Sequence, residues 1–257
     1  MIKINQLKKS FGNKQILKGI DLDINDGETL CVIGKSGCGK SVLLKHIVGL
    51  LTPDSGSVWV DGQNVSLLNQ KELFRVRKKI GYVFQGAALF DSYNVFENVV
   101  LKLVESGEKD LAKLENEAKF VLSAVGLLPP IEEKNSKEFR KEWNILSHKK
   151  PSELSGGMKK RVGVARSLIG SPTYIFYDEP TTGLDPVTSK QIDDLIADLS
   201  KKIKITSLVI THDMFSVYNI ANKVAMLHEG YLQFYGLTNE IRASQDPTVI
   251  EFLRRYG

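Results

Sequence analysis

Two stretches of small and cationic residues and one pair of adjacent carboxylates stand where phosphate chemistry would need them. Gly34-Lys35-Ser36-Gly37-Cys38-Gly39-Lys40-Ser41 fits the full G-x-x-x-x-G-K-S pattern. In it, glycines let backbone N–H groups close on phosphate oxygens and a following helix adds its positive end. Lys40 would neutralise β- and γ-phosphates, and Ser41 would ligate Mg²⁺. Asp178 and Glu179 close the apolar run Tyr174-Ile175-Phe176-Tyr177, which puts Asp178 at a strand end, suited to a Mg²⁺ shell, and Glu179 where it can polarise a water as general base. Alone, an Asp-Glu pair at a strand end reads as a solvated turn; the phosphate loop changes that reading.

Two further polar residues follow strand-like runs. His212 comes after Thr206 to Ile210, from which its imidazole can reach a γ-phosphate near Glu179. Gln85 comes after Ile80-Gly81-Tyr82-Val83-Phe84, from which it can contact Mg²⁺ or the attacking water and report nucleotide state to Gly86 to Phe96. His46, His148 and His228 read as structural. Ser155-Gly156-Gly157 heads the basic run Lys159 to Leu168, a second anion-binding helix end with Ser155 as N-cap. One active site does not need two such ends, so this one is expected to serve a nucleotide held by a second subunit.

The elements needed to hold these groups can be read from periodicity. Ile2 to Leu7 and Ile16 to Ile24 alternate like antiparallel strands around a turn at Gly12-Asn13, and Thr29 to Ile33 is a strand apolar on both faces. A helix is predicted over Lys40 to Leu50, with Val42, Leu43, Ile47 and Leu50 on its apolar side. Val95 to Leu128 reads as helical. Pro129-Pro130 breaks that run, and Ile131 to Lys150, with only Phe139, Trp143, Ile145 and Leu146 as apolar anchors, reads as an exposed helix or ordered loop outside the core. The spacing of Ile192, Leu195, Ile196 and Leu199 predicts one buried face of a helix over Pro186 to Lys202. Lys223 to Leu227 and Tyr231 to Tyr235 form a hairpin around Glu229-Gly230, followed by helices to Gly257.

Alternating strands and helices imply an α/β fold with a mostly parallel sheet; together with the phosphate loop at Gly34 to Ser41, the expected architecture is a P-loop NTPase core with an N-terminal antiparallel β-subdomain and an inserted α-helical subdomain. The expected division is one domain over 1–257, with 1–94 and 171–257 as the catalytic core and 95–170 as the helical part.

Composition limits the rest. A chain of 257 residues, 42% hydrophobic and 25% charged, has room for one sizeable core. No run approaches the roughly 18 apolar residues of a membrane span. The N-terminal Met1 to Asn5 lacks a cleavable signal pattern, so a cytoplasmic location is expected. Cys31 and Cys38 suggest reduced thiols and no disulfide framework. The net charge of +5 arises partly from clusters at Lys8-Lys9, Arg75 to Lys79, Lys149-Lys150 and Lys159-Lys160-Arg161. These read as solvated surface, or as contacts to an anionic membrane face or to acidic loops of a membrane partner; no nucleic-acid partner is expected.

Taken in order, these motifs resemble the ABC ATPase family along nearly the whole chain. Walker A lies at Gly34 to Ser41, a Q-loop at Gln85, the signature at Leu154 to Met158, Walker B at Tyr174 to Asp178 with Glu179, a D-loop at Gly183 to Pro186 and a switch histidine at His212. The resemblance implies ATP and Mg²⁺ as cofactors, with Glu179, His212 and Gln85 catalytic and Ser41, Gln85 and Asp178 around the metal. It further implies nucleotide contacts from Phe11, which would stack on adenine, from Gly34, Lys35, Ser36, Gly37, Cys38, Gly39, Lys40, Ser41 and Val42, and from Ser155, Gly156 and Gly157 of a second copy.

Met158 where the common signature has Gln, Pro151-Ser152-Glu153, Gly86 to Phe90 and Asp246 to Leu253 are similar to the Mla/Mce-type lipid transport ATPases. That similarity implies an ATP-bound homodimer on the cytoplasmic side of the inner membrane, a permease docked near Gln85 to Phe96 and an Mce-type lipid-binding partner. Relative to that subfamily the Lys-rich stretch from Pro130 to Lys150 is long, and little chain follows Leu253. An ATPase for small polar solutes such as amino acids, or a non-transport division-type regulator, are the other readings.

Overall fold

The computed structural model describes residues 1–256. The chain runs β1 (Ile2–Phe11), β2 (Lys14–Ile24), β3 (Thr29–Ile33), α1 (Lys40–Ile47), β4 (Ser55–Val60), β5 (Gln63–Asn64), α2 (Gln70–Lys78) and β6 (Ile80–Val83). Four helices follow without an intervening strand: α3 (Val95–Glu105), α4 (Leu111–Ala124), α5 (Lys137–His148) and α6 (Gly156–Leu168). Then come β7 (Tyr174–Asp178), α7 (Pro186–Ile203), β8 (Thr206–Ile210), α8 (Met214–Ile220), β9 (Lys223–His228), β10 (Tyr231–Leu237) and α9 (Pro247–Tyr256).

Two sheets result. One is antiparallel, in the order β2-β1-β4-β5, and the other has the order β10-β9-β3-β8-β7-β6. In the second, β9, β3, β8, β7 and β6 are mutually parallel and only β10 is antiparallel to its neighbour. Period-2 alternation divides the central strands between two cores. Cys31 and Ile33 of β3, Ile175 and Tyr177 of β7 and Val209 of β8 face the helices α3 to α9. Leu30, Val32, Tyr174, Phe176, Leu208 and Ile210 face α1 and the antiparallel sheet. Because the five strands are parallel, their carboxyl ends share one edge, and the loops carrying Gln85, Asp178, Glu179 and His212 all leave from it.

Local capping explains where several helices start. Asn69 with Glu72, and Asn94 with Glu97, close reciprocal capping boxes on α2 and α3. Asp110, Ser136 and Asp185 cap α4, α5 and α7 through side-chain oxygens.

Three sequence expectations change. The first helix stops at Ile47, because Gly49 takes the left-handed region at φ 66°, and Leu50 is left 62% exposed instead of lining an apolar face. The run from Val95 is broken at Gly107, where Glu108 and Asp110 satisfy the next helix start. The stretch from Ile131 is not peripheral. Phe139, Trp143 and Leu146 fall at i, i+4 and i+7 on α5 and are buried in the main core, with Trp143 edge-on to Phe96 at 5.8 Å, while Ile145 faces out. Charge dominated the composition of that segment, but three large side chains on one stripe are enough to dock it.

Candidate functional site

The loop between β3 and α1 is shaped by glycine. At Gly34 φ is 145°, and a Cβ there would stand 2.3 Å from the Leu227 carbonyl oxygen; at Gly39 φ is 111°, and a Cβ would stand 2.7 Å from the Leu17 side chain. Only glycine lets the backbone curl this tightly against β9 and β2. Lys40, almost fully buried, folds its ammonium back into the loop and donates to the carbonyl oxygens of Gly34 (2.7 Å) and Lys35 (3.2 Å). This loop lines a cleft of about 650 Å³, into which Gln85, Asp178, Glu179 and His212 also project.

Asp178 ends β7 half-buried. Desolvation pushes its carboxyl above the ordinary range, and the Tyr82 hydroxyl, which donates to Oδ2 at 3.2 Å, opposes that shift. Tyr82 pairs with Phe176 in the β6–β7 register, so Asp178 lies diagonally on the same face. Glu179 occupies the left-handed region at φ 51°, an uncommon conformation for a side-chain-bearing residue. Its N–H donates to the Ile210 carbonyl at 2.9 Å, and its Oε2 accepts from Thr182 Oγ1 at 2.9 Å. His212 Nδ1 lies 3.0 Å from Oε1 of the same carboxylate.

Phe11, 48% exposed at the tip of β1, lines the cleft with Ile16. Lys35, Ser36, Gly37, Gly39, Ser41 and Val42 line it too. Cys38 does not. Its thiol is packed in the core behind the loop, where burial pushes its pKa up, and its N–H donates to the Lys35 carbonyl. Neither cysteine is bonded to another, and both are buried.

Ser155, Gly156 and Gly157 are not brought to this cleft. Ser155 Oγ accepts from Met158 N at 3.2 Å and caps α6. The three residues open onto a separate cleft of about 540 Å³ shared with Gly183, Leu184 and Asp185.

Two residues near the chemistry had nothing in the sequence to place them there. Tyr256 of α9 lines the main cleft with its ring edge-on to His212 at 6.4 Å, and Glu251 pairs with Lys35 at 3.0 Å, which holds its carboxyl below the usual range. Tyr82 had only the strand alternation to give it away. Of the other histidines, His46 is buried with Nδ1 2.8 Å from the Val42 carbonyl and His148 lies 2.8 Å from the Asn144 carbonyl, both local structural contacts.

The cleft fits a magnesium-bound nucleoside triphosphate. A glycine cradle, one lysine, the Ser41 hydroxyl and the half-buried Asp178 carboxylate are a donor set for a hard cation that keeps phosphate oxygens among its ligands. Among the described residues no group of three or more His, Cys, Asp and Glu side chains could hold a metal ion on its own.

Fold and cleft together define a P-loop ATPase. The ABC transporter family model matches residues 17–182, and the chain belongs to that family. It binds ATP with Mg²⁺ and hydrolyses it. Similar curated proteins include a probable ribonucleotide transport ATP-binding protein of Mycobacterium leprae, 36% identical over 100% of this chain and 70% of that protein. Another is the chloroplastic TRIGALACTOSYLDIACYLGLYCEROL 3 protein of Arabidopsis thaliana, 39% identical over 98% of this chain and 73% of that one. A methionine import ATP-binding protein of Carboxydothermus hydrogenoformans is 39% identical over 94% of this chain and 67% of its own length.

Among solved structures, a dimeric ATP-binding cassette in a post-hydrolysis state with ADP and phosphate superposes with a TM-score of 0.78. It is 29% identical and covers 93% of this chain and 99% of that one. A subunit of the cbiONQ ABC transporter complex of Clostridium perfringens gives 0.81 at 28% identity, covering 98% and 94%.

Proposed function

We propose that the chain is the ATP-hydrolysing subunit of a bacterial ABC transporter for lipid. In this reading it works as a head-to-tail homodimer with an integral membrane permease and an Mce-type lipid-binding partner. The observation that carries the shared site is the separation of two clefts. Gly34 to Ser41 already supply a phosphate cradle, whereas Ser155 to Gly157 head a 13-residue helix and face a different cleft. A second copy turned head to tail gives that helix end a phosphate to bind, and the dimeric state of a similar cassette supports the arrangement.

Within each site Ser41, Asp178 and Gln85 would hold the magnesium ion, which would offset phosphate charge. Glu179 takes the proton of the attacking water, and His212 orients that carboxylate. The division into 1–94 with 171–257 as catalytic core and 95–170 as helical subdomain belongs to the same reading.

No helix among the described residues is long and apolar enough to cross a membrane, so transport needs a permease. The exposed Phe84, Phe90 and Tyr93 around the Gln85 to Phe96 segment suit that contact, at the cytoplasmic face of the inner membrane. The signature ending in Met158 and the lipid in the name of the Arabidopsis relative favour a lipid cargo. The equally similar methionine import protein supports a second reading, an importer ATPase for a small polar solute.

Purification of the native complex through a tag on this chain, followed by lipid extraction and mass spectrometry, separates the two. Phospholipid in stoichiometric amount, with an Mce-type subunit, is the expected result. A soluble solute-binding subunit, with lipid no higher than in a mock purification, would transfer the assignment to the second reading.

A further inference from the structure

Two consecutive residues after Gln85 sit in the left-handed region, Ala87 at φ 59° and Ala88 at φ 48°. A Cβ makes that conformation unfavourable, and it persists only where the surroundings over-determine it. Here α6 supplies the restraint. Arg166 spreads its guanidinium fork over both residues, Nη1 donating to the Ala88 carbonyl and Nη2 to the Ala87 carbonyl, each at 2.7 Å. One and two turns earlier on the same helix, Gly163 leaves room for the backbone, since a Cβ there would stand 3.3 Å from the Ala87 Cβ, and Lys160 donates to the Gln85 carbonyl.

Both cations lose solvation to do this. Lys160 is 6% exposed, and burial lowers the pKa of each. Neither is in an ion pair among the described residues; backbone carbonyls accept from both, and the charge of Glu179 offsets part of what burial costs Lys160. Burying one cation and half-burying another against carbonyls is a costly way to fix a surface loop. It is understandable if the loop's position matters for chemistry.

We propose that Lys160 and Arg166 are positioning residues that clamp Gln85 and the strained Ala87–Ala88 turn to the helix headed by Ser155. A phosphate group engaged at Ser155 to Gly157 and the Gln85 side chain in the chain's own cleft then move as one body. The strained turn keeps its shape only while the clamp holds. This rests on the reading of Gln85 as a contact to magnesium or the attacking water.

The test uses Arg166→Ala, Arg166→Lys, Ala87→Gly and the Arg166→Ala/Ala87→Gly double variant. ATPase kcat and KM are measured alongside thermal midpoints by circular dichroism. Arg166→Ala is expected to lower kcat about tenfold with KM within about twofold, because misplacement of a reacting group acts on the chemical step. Ala87→Gly removes the conformational penalty, so the double variant is expected to regain kcat to within about threefold of wild type. Arg166→Lys keeps the charge without the fork, is expected to fall with Arg166→Ala, and carries the test if the alanine variant does not fold.

A wild-type kcat for Arg166→Ala or Arg166→Lys, or a double variant no better than Arg166→Ala, would overturn the proposal. So would a midpoint loss from Arg166→Ala that is the same with Ala or Gly at position 87, as a merely structural arginine would give. Gln85→Ala serves as the control: normal hydrolysis there would remove the role assigned to Gln85, whereas the thermal comparison reads the clamp independently of it.

Discussion

The Nδ1 atom of His212 stands 2.8 Å from Oε2 and 3.0 Å from Oε1 of Glu179, so the ring that follows β8 straddles the carboxylate that follows β7. Neighbouring parallel strands make this meeting possible, since Asp178 pairs with Ile210 in register and the next residues leave the sheet together. Glu179 is fixed from three sides, by its N–H on the Ile210 carbonyl, by Thr182 and by His212. Held this way, with most of its surface covered, the carboxylate keeps one orientation, which is what the proposed general-base role asks of it.

Glu179→Gln keeps the shape and removes the basicity. Phosphate release is expected to fall by roughly 10²-fold or more, within the range that general base catalysis supplies. ATP binding persists, and light scattering should find an ATP-dependent dimer that wild-type turnover would dissolve. Turnover within a factor of two of wild type would remove Glu179 from this role.

Phe11 presents an exposed ring at the mouth of the cleft, with the Lys9 ammonium 5.6 Å from its centroid. Stacking of this kind contributes about 0.5–1.5 kcal/mol. Phe11→Ala should therefore raise the KM for ATP about 3- to 10-fold with kcat unchanged, the pattern of lost uniform binding. Steady-state kinetics decide it: an unchanged KM means that the ring packs on something other than the base.

How much of this was visible beforehand depends on whether the determinants are contiguous. The Gly34 to Ser41 loop and the Asp178-Glu179 pair are local patterns flanked by apolar strands, and a parallel sheet must bring strand ends to one edge. Which way a side chain points inside a loop is not local. The backbone turn at Gly37 and Gly39 sends Cys38 into the core, and no spacing rule could say so. Tyr256 reaches the cleft, and Glu251 reaches Lys35 at its wall, only because α9 folds back across more than 200 residues of sequence. In α5 the apolar anchors were plain in the sequence, but the lysines and glutamates around them outweighed the i, i+4, i+7 stripe on which three of them lie.

Tyr82 and Asp178 offer a test on the metal side of the site. Tyr82→Phe deletes one hydrogen bond to a half-buried carboxylate while leaving the ring against Phe84 at 4.4 Å. A carboxylate ligand oriented by a hydrogen bond binds its metal more tightly, and loss of such a partner should raise the half-saturating Mg²⁺ concentration about tenfold. Electron paramagnetic resonance of Mn²⁺ titrated into the ATP-loaded protein reads the same change without turnover. Equal titration curves for the two proteins would show that Asp178 does not depend on Tyr82.

Asp193 on α7 provides the pH prediction. It is 4% exposed; Oδ2 accepts from Ser216 Oγ at 2.7 Å, and Oδ1 has no partner. Burial, together with the charges of Asp213 and Asp194, pushes its pKa from 3.8 to about 6, against the opposing effects of Ser216 and Lys190. A carboxyl whose pKa is raised by folding binds its proton more tightly in the native state. Its contribution to stability is therefore complete below about pH 4 and is lost as pH rises through about 6. Asp193→Asn removes that titration and also removes a buried charge with an unpaired oxygen. Relative to wild type, the variant should be more stable at pH 8 than at pH 4.5 by about 1 kcal/mol or more. Urea unfolding at the two pH values measures the difference directly. An identical wild-type-to-variant gap at both would mean that Asp193 is ionised throughout, and that the cost of its burial is met by a partner other than Ser216.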